Sequence, residues 1–233
     1  MNIGIVTTAY NGYGRFLVRW CLYVSKLNGG PFATTVLLGK RHGCNPKQLA
    51  KCVELLPHLK ILDMSDSHLK PRMGMLRNWA IDETDTDWVV YISCDDKILP
   101  HAVEEYSKYQ AESDYICARW LTVGLGQPRT EHVSPLPELM ATHNGKGFVI
   151  GHSPFRRSFW EKTPYENHDY PNAPFLAAMV ENGARFVQTE RPCTVYLRRS
   201  DSHARTVLPK KAEKRQAVHH KLDMERRIKA YYA

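Results

Sequence analysis

The first hundred residues predict an α/β fold built on a doubly wound, mostly parallel sheet. Short apolar runs alternate with segments of helical periodicity in the order βαβαβαβ, which is typical of parallel sheets with helical connections. The fourth run, Trp88 to Ser93, is apolar on both faces, as expected for a strand covered by helices on both sides. Ligands of such sheets bind at the carboxyl ends of the strands, so polar residues that follow the strands are candidate ligand residues.

Turn residues and apolar spacing set the bounds of the predicted elements. The Asn28-Gly29-Gly30-Pro31 cluster ends the first helix, Pro46 opens the second, and Gly183 ends a helix in the second half. In the first half we expect strands at 2–8, 34–38, 60–64 and 88–93 and helices at 15–27, 46–56 and 73–82. In the second half we expect a helix at 100–107, a strand at 115–122, a loop at 124–147, a strand at 147–151, a helix at 175–182, strands at 185–189 and 194–198, and a helix at 209–232.

The composition is that of a globular domain rather than a membrane or disulfide-rich protein. Apolar residues make up 43% of the 233 residues, enough to bury a core. The N-terminus lacks a basic segment followed by a long apolar one, and no run approaches the roughly 20 apolar residues of a membrane span, so we expect neither a signal peptide nor a transmembrane segment. None of the six cysteines has C-x-x-C spacing, and we expect reduced thiols and a cytoplasmic location.

The positive charge is concentrated at the C-terminal end. Residues 198–233 hold eleven Lys and Arg against four acids, a net charge of +7 out of +8 for the whole chain. The rest of the chain is therefore nearly neutral, like an ordinary enzyme. We expect residues 206–233 to form a basic helical extension that faces an acidic partner.

Two adjacent carboxylates, Asp95 and Asp96, follow the fourth predicted strand. Neighbouring acids repel each other and are costly to desolvate unless a cation offsets their charge. A hard divalent cation takes such oxygen ligands and also neutralises a diphosphate, so the pair predicts a Mn²⁺ or Mg²⁺ site. The alternative that the residues leave open is that the pair caps the helix beginning near Pro100.

Four segments, in this order, resemble those of family 2 glycosyltransferases of the GT-A type. They are Thr7-Thr8-Ala9-Tyr10-Asn11, Leu76-Arg77-Asn78-Trp79-Ala80-Ile81, Val90-Tyr91-Ile92-Ser93-Cys94-Asp95-Asp96 and Tyr196-Leu197-Arg198-Arg199-Ser200-Asp201-Ser202-His203. The resemblance covers residues 3–205. It implies a GT-A fold, a mixed and mostly parallel sheet flanked by helices, and assigns residues 1–205 to one glycosyltransferase domain.

The resemblance further implies a metal-dependent enzyme that transfers a hexose or pentose from a nucleotide sugar, most commonly a UDP-sugar, to an acceptor hydroxyl. The residues that it places at the donor are Thr8, Tyr10, Asn11, Arg77, Ser93, Asp95, Arg198 and Ser202. The residues that it places at Mn²⁺ or Mg²⁺ are Asp95, Asp96 and His203.

The sequence departs from the family pattern at three places. Ser93 stands where the family usually has the first acid of its DxD motif, which leaves Asp95 as the metal-binding acid. Gly39-Lys40-Arg41 replaces the paired acids that the family often has after its second strand, so the nucleotide preference stays open. The family's catalytic Glu-Asp pair aligns with Pro171-Asn172, which cannot act as a base.

The nearest carboxylates to that position supply the candidates for the catalytic base. Asp169 lies two residues before Pro171, and Glu166 is the second candidate. Either would deprotonate the acceptor hydroxyl in a direct displacement that inverts the anomeric carbon. The alternative for Asp169 is a turn residue before a proline.

The basic C-terminal helix suggests an acidic acceptor. Its apolar stripe is thin, as in a helix that docks on its own domain and leaves Lys and Arg outward, and nucleic acid is a common polyanion for such a face. Lys210, Lys211, Lys214 and Arg215 are the candidate DNA contacts. Viral glycosyltransferases that modify hydroxymethylated pyrimidines in DNA, in the host cytoplasm, are one class that would fit. Glycan, protein and lipid-linked acceptors remain alternatives.

Two other classes of protein compete with a glycosyltransferase. A non-catalytic nucleic-acid-binding module explains the basic extension but not the acids at the strand end. A nucleotidyltransferase usually has a Gly-rich, basic loop after its first strand, which Tyr10-Asn11-Gly12-Tyr13-Gly14-Arg15 provides only in part.

Overall fold

The computed structural model describes residues 1–68, 72–124, 127–133, 136–137, 152–168, 171–197 and 212–232. The strands are β1 (Ile3–Ala9), β2 (Ala33–Leu38), β3 (Leu59–Asp63), β4 (Trp88–Tyr91), β5 (Lys97–Ile98), β6 (Tyr115–Gly124), β7 (Gln127–Val133), β8 (Phe155–Arg156) and β9 (Phe186–Leu197). The helices are a 3₁₀ turn at Tyr13–Phe16 and α1 (Leu17–Val24), α2 (Pro46–Leu55), α3 (Met73–Asp82), α4 (Ala102–Ser107), α5 (Arg157–Lys162), α6 (Asn172–Glu181) and α7 (Ala212–Tyr231).

The strands form one mixed sheet in the order β3-β2-β1-β4-β8-β6-β9-β5, with β7 paired to β6. The pairs β1–β2, β1–β4, β2–β3 and β6–β9 are parallel. β8 runs antiparallel to both β4 and β6, so these two strands share one direction. The predicted α/β fold with a mostly parallel sheet flanked by helices is confirmed.

The sheet is buried on both faces because successive side chains of a strand point to opposite sides. In β1, Ile3 and Ile5 pack with Trp20 of α1 in one apolar cluster, while Val6 packs with Leu76 of α3 in the other. A strand with two apolar faces needs a helix on each side, which the βαβ connections provide.

The C-terminal helix α7 docks on this body through a narrow apolar stripe. Met224 and Ile228 are buried in the same cluster as α6, and the Arg227 guanidinium makes two hydrogen bonds to the Glu181 carboxylate of α6, one of them 2.6 Å long. Arg226 is exposed and donates to Asp223 on the same helix at 2.7 Å. Within the described residues, no helix combines the length and the apolar character needed to cross a bilayer.

The second half differs from the sequence prediction at two strands. Part of the predicted loop at 124–147 forms β7, which extends β6 by antiparallel pairing. The two predicted closing strands are one strand, β9, whose register with β6 shifts beside Pro192. Proline has no N–H for the ladder and is tolerated in a strand at such an irregularity. The predicted strand at 147–151 lies outside the described residues.

Glu105 of α4 ties that helix to β9. Its fully buried carboxylate accepts hydrogen bonds from Arg191 Nε at 3.0 Å and from the backbone N–H of Glu190 at 3.0 Å, and it pairs with Lys108 at 2.8 Å. Burial alone would raise the pKa of Glu105, but these donors outweigh it and hold the pKa at about 2.

We predict that Glu105→Gln lowers the free energy of unfolding at pH 7 by on the order of 2–3 kcal/mol. A depressed folded-state pKa stabilises the fold above the ordinary glutamate pKa, and this stabilisation is lost as the pH falls through the folded value. Urea unfolding at several pH values should therefore show the wild-type advantage shrinking from about pH 5 toward pH 2. The exposed neighbour Glu190 gives the control Glu190→Gln, and a pH-independent loss in Glu105→Gln would contradict the assignment.

Candidate active site

A cavity lies at the carboxyl ends of β1 and β4, where the fold rule places ligands. Its volume is about 160 Å³. The residues that line it are Thr8, Tyr10, Tyr13, Met73, Tyr91, Ser93, Cys94, Asp95, Asp96 and Tyr196. Four of the predicted donor-binding residues, Thr8, Tyr10, Ser93 and Asp95, are therefore brought together.

The loops after β1 and β2 are joined to form one rim of the cavity. Backbone N–H groups of Asn11 and Gly12 donate to the carbonyls of Lys40 and Arg41 at 3.1 and 2.7 Å. Gly12 has a φ of 83°, which a glycine adopts without strain. Asn11, a predicted donor-binding residue, has a φ of 48° and an exposed side chain that is not among those lining the cavity.

This rim carries two tyrosine rings. Tyr10 and Tyr13 stack with an interplanar angle of 12° and a centroid separation of 6.0 Å. Both line the cavity and both are only partly buried, so a planar ligand has an aromatic face beside it. Sequence analysis identified Tyr10; Tyr13 was visible only as part of a turn cluster.

The floor of the cavity is a buried polar cluster. The hydroxyls of Thr8 and Tyr91 lie 2.9 Å apart, and both approach Met73 Sδ, at 3.6 and 3.7 Å. Burial raises the pKa of Tyr91, so its hydroxyl stays protonated as a donor. The Arg77 guanidinium stacks behind it, 3.9 Å from the ring centroid of Tyr91.

Arg77 connects the two halves of the chain instead of lining the cavity. It is buried, it lies between the rings of Tyr91 and Tyr165, and Nη1 donates to Asn172 Oδ1 of α6. Asn172 aligns with a catalytic acid of the resembled family. At this position the Arg77 guanidinium therefore contacts an amide and not a carboxylate. Arg77 therefore contacts Tyr91, a lining residue, but does not itself line the cavity.

Asp95 and Asp96 leave β4 in different environments. Neither caps the following helix, because α4 begins after His101 and has no side-chain cap. Asp95 lines the cavity with 8% of its surface exposed. The Asp96 carboxylate accepts from the Leu197 N–H at 3.0 Å through Oδ1, and its Oδ2 lies 3.0 Å from His152 Nε2. Nothing in the local sequence pointed to His152.

The segment from Tyr165 to His168, which includes the candidate base Glu166, is held by α3. Asn78 accepts from the Tyr165 N–H at 3.0 Å and from Trp160 Nε1 at 2.9 Å, and it donates to the Tyr165 carbonyl at 2.8 Å. The Gly74 N–H donates to the His168 carbonyl at 2.9 Å. Asn78 belongs to the Arg-Asn segment of the resemblance and Gly74 lies two residues before that segment, so these contacts give this part of α3 a structural role.

Glu166 is the candidate base that the structure describes. Its side chain is exposed, and its carbonyl lies against Gly74, where a Cβ atom would come within 1.7 Å of the oxygen. Asp169, Arg198, Ser202, His203, Lys210 and Lys211 lie outside the described residues, and Lys214 and Arg215 belong to α7 with side chains outside the description. Their predicted roles stay predictions.

The chemistry of the described donors suits a divalent cation that is shared with a phosphate ligand. Across the described part of the chain, no group of three His, Cys, Asp or Glu is arranged to hold a metal by itself. Mg²⁺ characteristically binds through one or two carboxylates together with substrate phosphates, so the cavity carboxylates fit this mode. Asp95 and Asp96 are the two carboxylates that line the cavity, and both oxygens of Asp96 also contact protein groups, the Leu197 N–H and His152 Nε2.

Two larger cavities lie at the opposite edge of the sheet. One of about 330 Å³ lies between the ends of α1 and α2 and is lined by Leu27, Phe32 and His58 among others. The other, of about 390 Å³, is polar and adjoins Asn2, Asp85 and Arg157 near the amino ends of β1 and β4. Amino ends of parallel strands are not where ligands of this fold bind, so we assign the site to the smaller cavity.

The sheet order, the helices on both faces and the site at the ends of β1 and β4 define a GT-A fold. The structure is similar to S. aureus TarS 1–349 in complex with UDP-GlcNAc, with a TM-score of 0.69 over 97% of this chain and 72% of that one at 13% identity. For TarS 1–349 alone the TM-score is 0.67 over 84% of this chain, which spans 60% of that chain, at 13% identity. The complex of TarS 1–349 with UDP gives 0.63 over 86% and 61% at 13% identity. The sequence matches no family model and no curated protein.

We predict that Gly74→Ala destabilises the protein by about 1–3 kcal/mol, the usual cost of overpacking. Alanine normally stabilises a helix relative to glycine by about 1 kcal/mol. A decrease in the free energy of unfolding would therefore indicate the clash with the Glu166 carbonyl. Urea unfolding measures the change, with Asp82→Ala at the exposed end of α3 as the control. A more stable Gly74→Ala variant would show that the 165–168 segment does not pack on α3 in this way.

Proposed function

We propose that this chain is a glycosyltransferase that moves a hexose or pentose from a UDP-sugar to an acceptor hydroxyl. The observation that carries the proposal is the cavity at the ends of β1 and β4, which combines two stacked tyrosines with the Asp95 carboxylate. A nucleotide sugar has matching parts, because its base stacks on aromatic rings and its diphosphate needs a cation.

The structural comparison supports this choice of donor. TarS 1–349 has the same fold and forms complexes with UDP-GlcNAc and with UDP. The cavity is smaller than the roughly 300–1,000 Å³ usual for ligand pockets, so it would hold only part of such a donor. The resemblance puts Arg198, Ser202 and His203 at the remaining part, where the forked guanidinium of Arg198 would pair with a phosphate.

Asp95 would hold Mn²⁺ or Mg²⁺ together with the donor diphosphate. The metal, when bound, neutralises the charge that develops on the leaving diphosphate. Asp95 lies in the turn that follows β4 and lines the cavity. His203 is the further ligand that the sequence predicts. Asp96 was predicted as a ligand as well, and it also lines the cavity while its oxygens contact the Leu197 N–H and His152.

The transfer would be a direct displacement. A carboxylate takes the proton of the acceptor hydroxyl while the oxygen of that hydroxyl attacks the anomeric carbon. The nucleoside diphosphate leaves from the opposite face, so the configuration of the anomeric carbon is inverted. Asp169 is the proposed base and Glu166 the second candidate. The Asn78 and Gly74 contacts fix the segment that carries Glu166 and leads to Asp169.

The acceptor is proposed from charge. α7 packs its apolar stripe inward and exposes Arg226 and Lys229, and the preceding residues add Lys210 and Lys211. A docked basic helix of this kind suits a polyanion, and a hydroxymethylated pyrimidine in DNA supplies both the charge and a hydroxyl. Arg227 does not contribute, since it is paired with Glu181.

With Mn²⁺ present, we predict release of UDP from one member of a panel of UDP-sugars, and loss of that release in excess EDTA. Asp95→Asn should reduce it to background because the amide cannot replace the carboxylate at a divalent cation. The matched control is Asp85→Asn, at the opposite end of β4, which should keep wild-type activity. Full activity of Asp95→Asn would refute the site, and a protein that binds DNA but hydrolyses no donor would be a non-catalytic module.

We predict that Asp169→Ala lowers kcat by about 10²–10⁴-fold with little change in the KM for the donor, as loss of a general base does. Glu166→Ala and the exposed Glu161→Ala serve as comparisons, and both should stay near wild type. If Glu166→Ala carries the loss instead, Glu166 is the base. A product with retained anomeric configuration would exclude direct displacement.

Replacing Lys210, Lys211, Lys214 and Arg215 with glutamine should raise the KM for a hydroxymethylated DNA acceptor and leave donor hydrolysis unchanged. Binding should weaken with salt by about one unit of log-log slope per phosphate contact. Lys47→Gln and Lys51→Gln on α2 provide the control for loss of positive charge elsewhere. Absence of DNA binding at low ionic strength would leave a glycan, protein or lipid-linked acceptor.

A further inference from the structure

A series of buried hydrogen bonds connects β9 to Asp96, which follows β4 and lines the cavity. Thr194 Oγ1 lies 3.1 Å from His152 Nδ1, and His152 Nε2 lies 3.0 Å from Asp96 Oδ2. The other Asp96 oxygen accepts from the Leu197 N–H at 3.0 Å. The side chains of His152 and Asp96 are 3% and 2% exposed, and Thr194 is fully buried.

The direction of each hydrogen bond follows from its partners. The Asp96 carboxylate can only accept, so the proton of a neutral His152 ring lies on Nε2. Nδ1 then has a free lone pair, and the Thr194 hydroxyl donates to it. In this tautomer each side-chain N and O atom of Asp96, His152 and Thr194 takes part in a hydrogen bond. A buried polar network is rigid under this condition.

Each end of this series of hydrogen bonds is next to a residue of the cavity. Asp96 follows Asp95, and Leu197 follows Tyr196, and both preceding residues line the cavity. His152 begins a described segment that is 56 positions from Asp96 and 45 positions from Leu197 in sequence. The Asp96 carboxylate thus joins the loop after β4 to the last residue of β9.

We propose that Asp96 and His152 are positioning residues of the donor site, and that Asp96 acts through its hydrogen bonds and not as a metal ligand. They hold the Asp95 carboxylate and the Tyr196 ring in fixed relation across the cavity. This inference rests on the proposed function, because its effect on turnover requires a donor. The hydrogen-bond arrangement itself can be tested without one.

Asp96→Asn separates the two roles of Asp96. The amide oxygen still accepts from the Leu197 N–H, and the amide N–H can donate to His152 Nε2 if the ring proton moves to Nδ1, from which it donates to Thr194. The variant therefore keeps the network in the opposite tautomer but loses the charge that a metal ligand needs. Asp96→Ala removes both bonds.

For UDP release we expect Asp96→Asn to stay within about threefold of wild type, with the Mn²⁺ concentration for half-maximal rate unchanged. Asp96→Ala and His152→Ala should each lower kcat/KM by on the order of 10²-fold, as a small misplacement does, and the double variant should lose no more than either one. An Asp96→Asn variant as inactive as Asp95→Asn, or one needing tenfold more Mn²⁺, would overturn the proposal. So would a fully active Asp96→Ala.

A second readout does not depend on activity. In protein labelled with ¹⁵N-histidine, the His152 ring, assigned by comparison with His152→Ala, should be the Nε2–H tautomer in wild type and the Nδ1–H tautomer in Asp96→Asn. The same tautomer in both proteins would refute the network. If the tautomer differs between the two proteins as expected but the wild type turns over no nucleotide sugar, the hydrogen-bond network is supported and the proposed function is refuted.

Discussion

The Asp96 carboxylate adds side-chain contacts at the site between the loop after β4 and β9, next to the backbone pairing of β5 with β9. One oxygen accepts from the Leu197 N–H at the end of β9, and the other lies beside the His152 ring. Parallel strands deliver their carboxyl ends to one edge of the sheet but do not fix the loops that follow them. The Asp96 contacts supply that restraint, and the cavity residues Asp95 and Tyr196 are its immediate neighbours.

A second set of contacts joins α3 to the second half of the chain. Asn78 binds the backbone of Tyr165 on both its N–H and its carbonyl, while Arg77 reaches Asn172 across 95 positions of sequence. One turn of α3 therefore holds two segments of the second half. The close approach of the Glu166 carbonyl to Gly74 shows how tightly they fit, because no side chain fits between them.

The first half of the fold could be predicted from the sequence because its signals are local. Apolar runs and turn residues gave β1 to β4 and α1 to α3 within a few positions, and the strand-end rule placed Tyr10 and Asp95 at one site. Prediction from local signals failed in the second half of the chain, where the strand pairing is irregular. The strands predicted at 185–189 and 194–198 are one strand, β9, whose register with β6 shifts beside Pro192.

Long-range partners were beyond prediction from residue patterns. Asp96 reads as a metal ligand in sequence, since an adjacent acid pair at a strand end has no visible counter-partner. Its neighbour His152 lies 56 positions away and is preceded by no recognisable motif. Asn172 likewise is a non-catalytic replacement in the sequence, and only the fold shows that it accepts from Arg77.

The most direct measurement is a crystal structure of the protein with UDP and Mn²⁺. The account predicts an anomalous manganese peak bound by an Asp95 oxygen and by the diphosphate, the uracil ring against Tyr10 or Tyr13, and an Asp96 carboxylate that still contacts His152 and Leu197. UDP bound in the cavity of Leu27, Phe32 and His58, or manganese bound by Asp96 without Asp95, would contradict it.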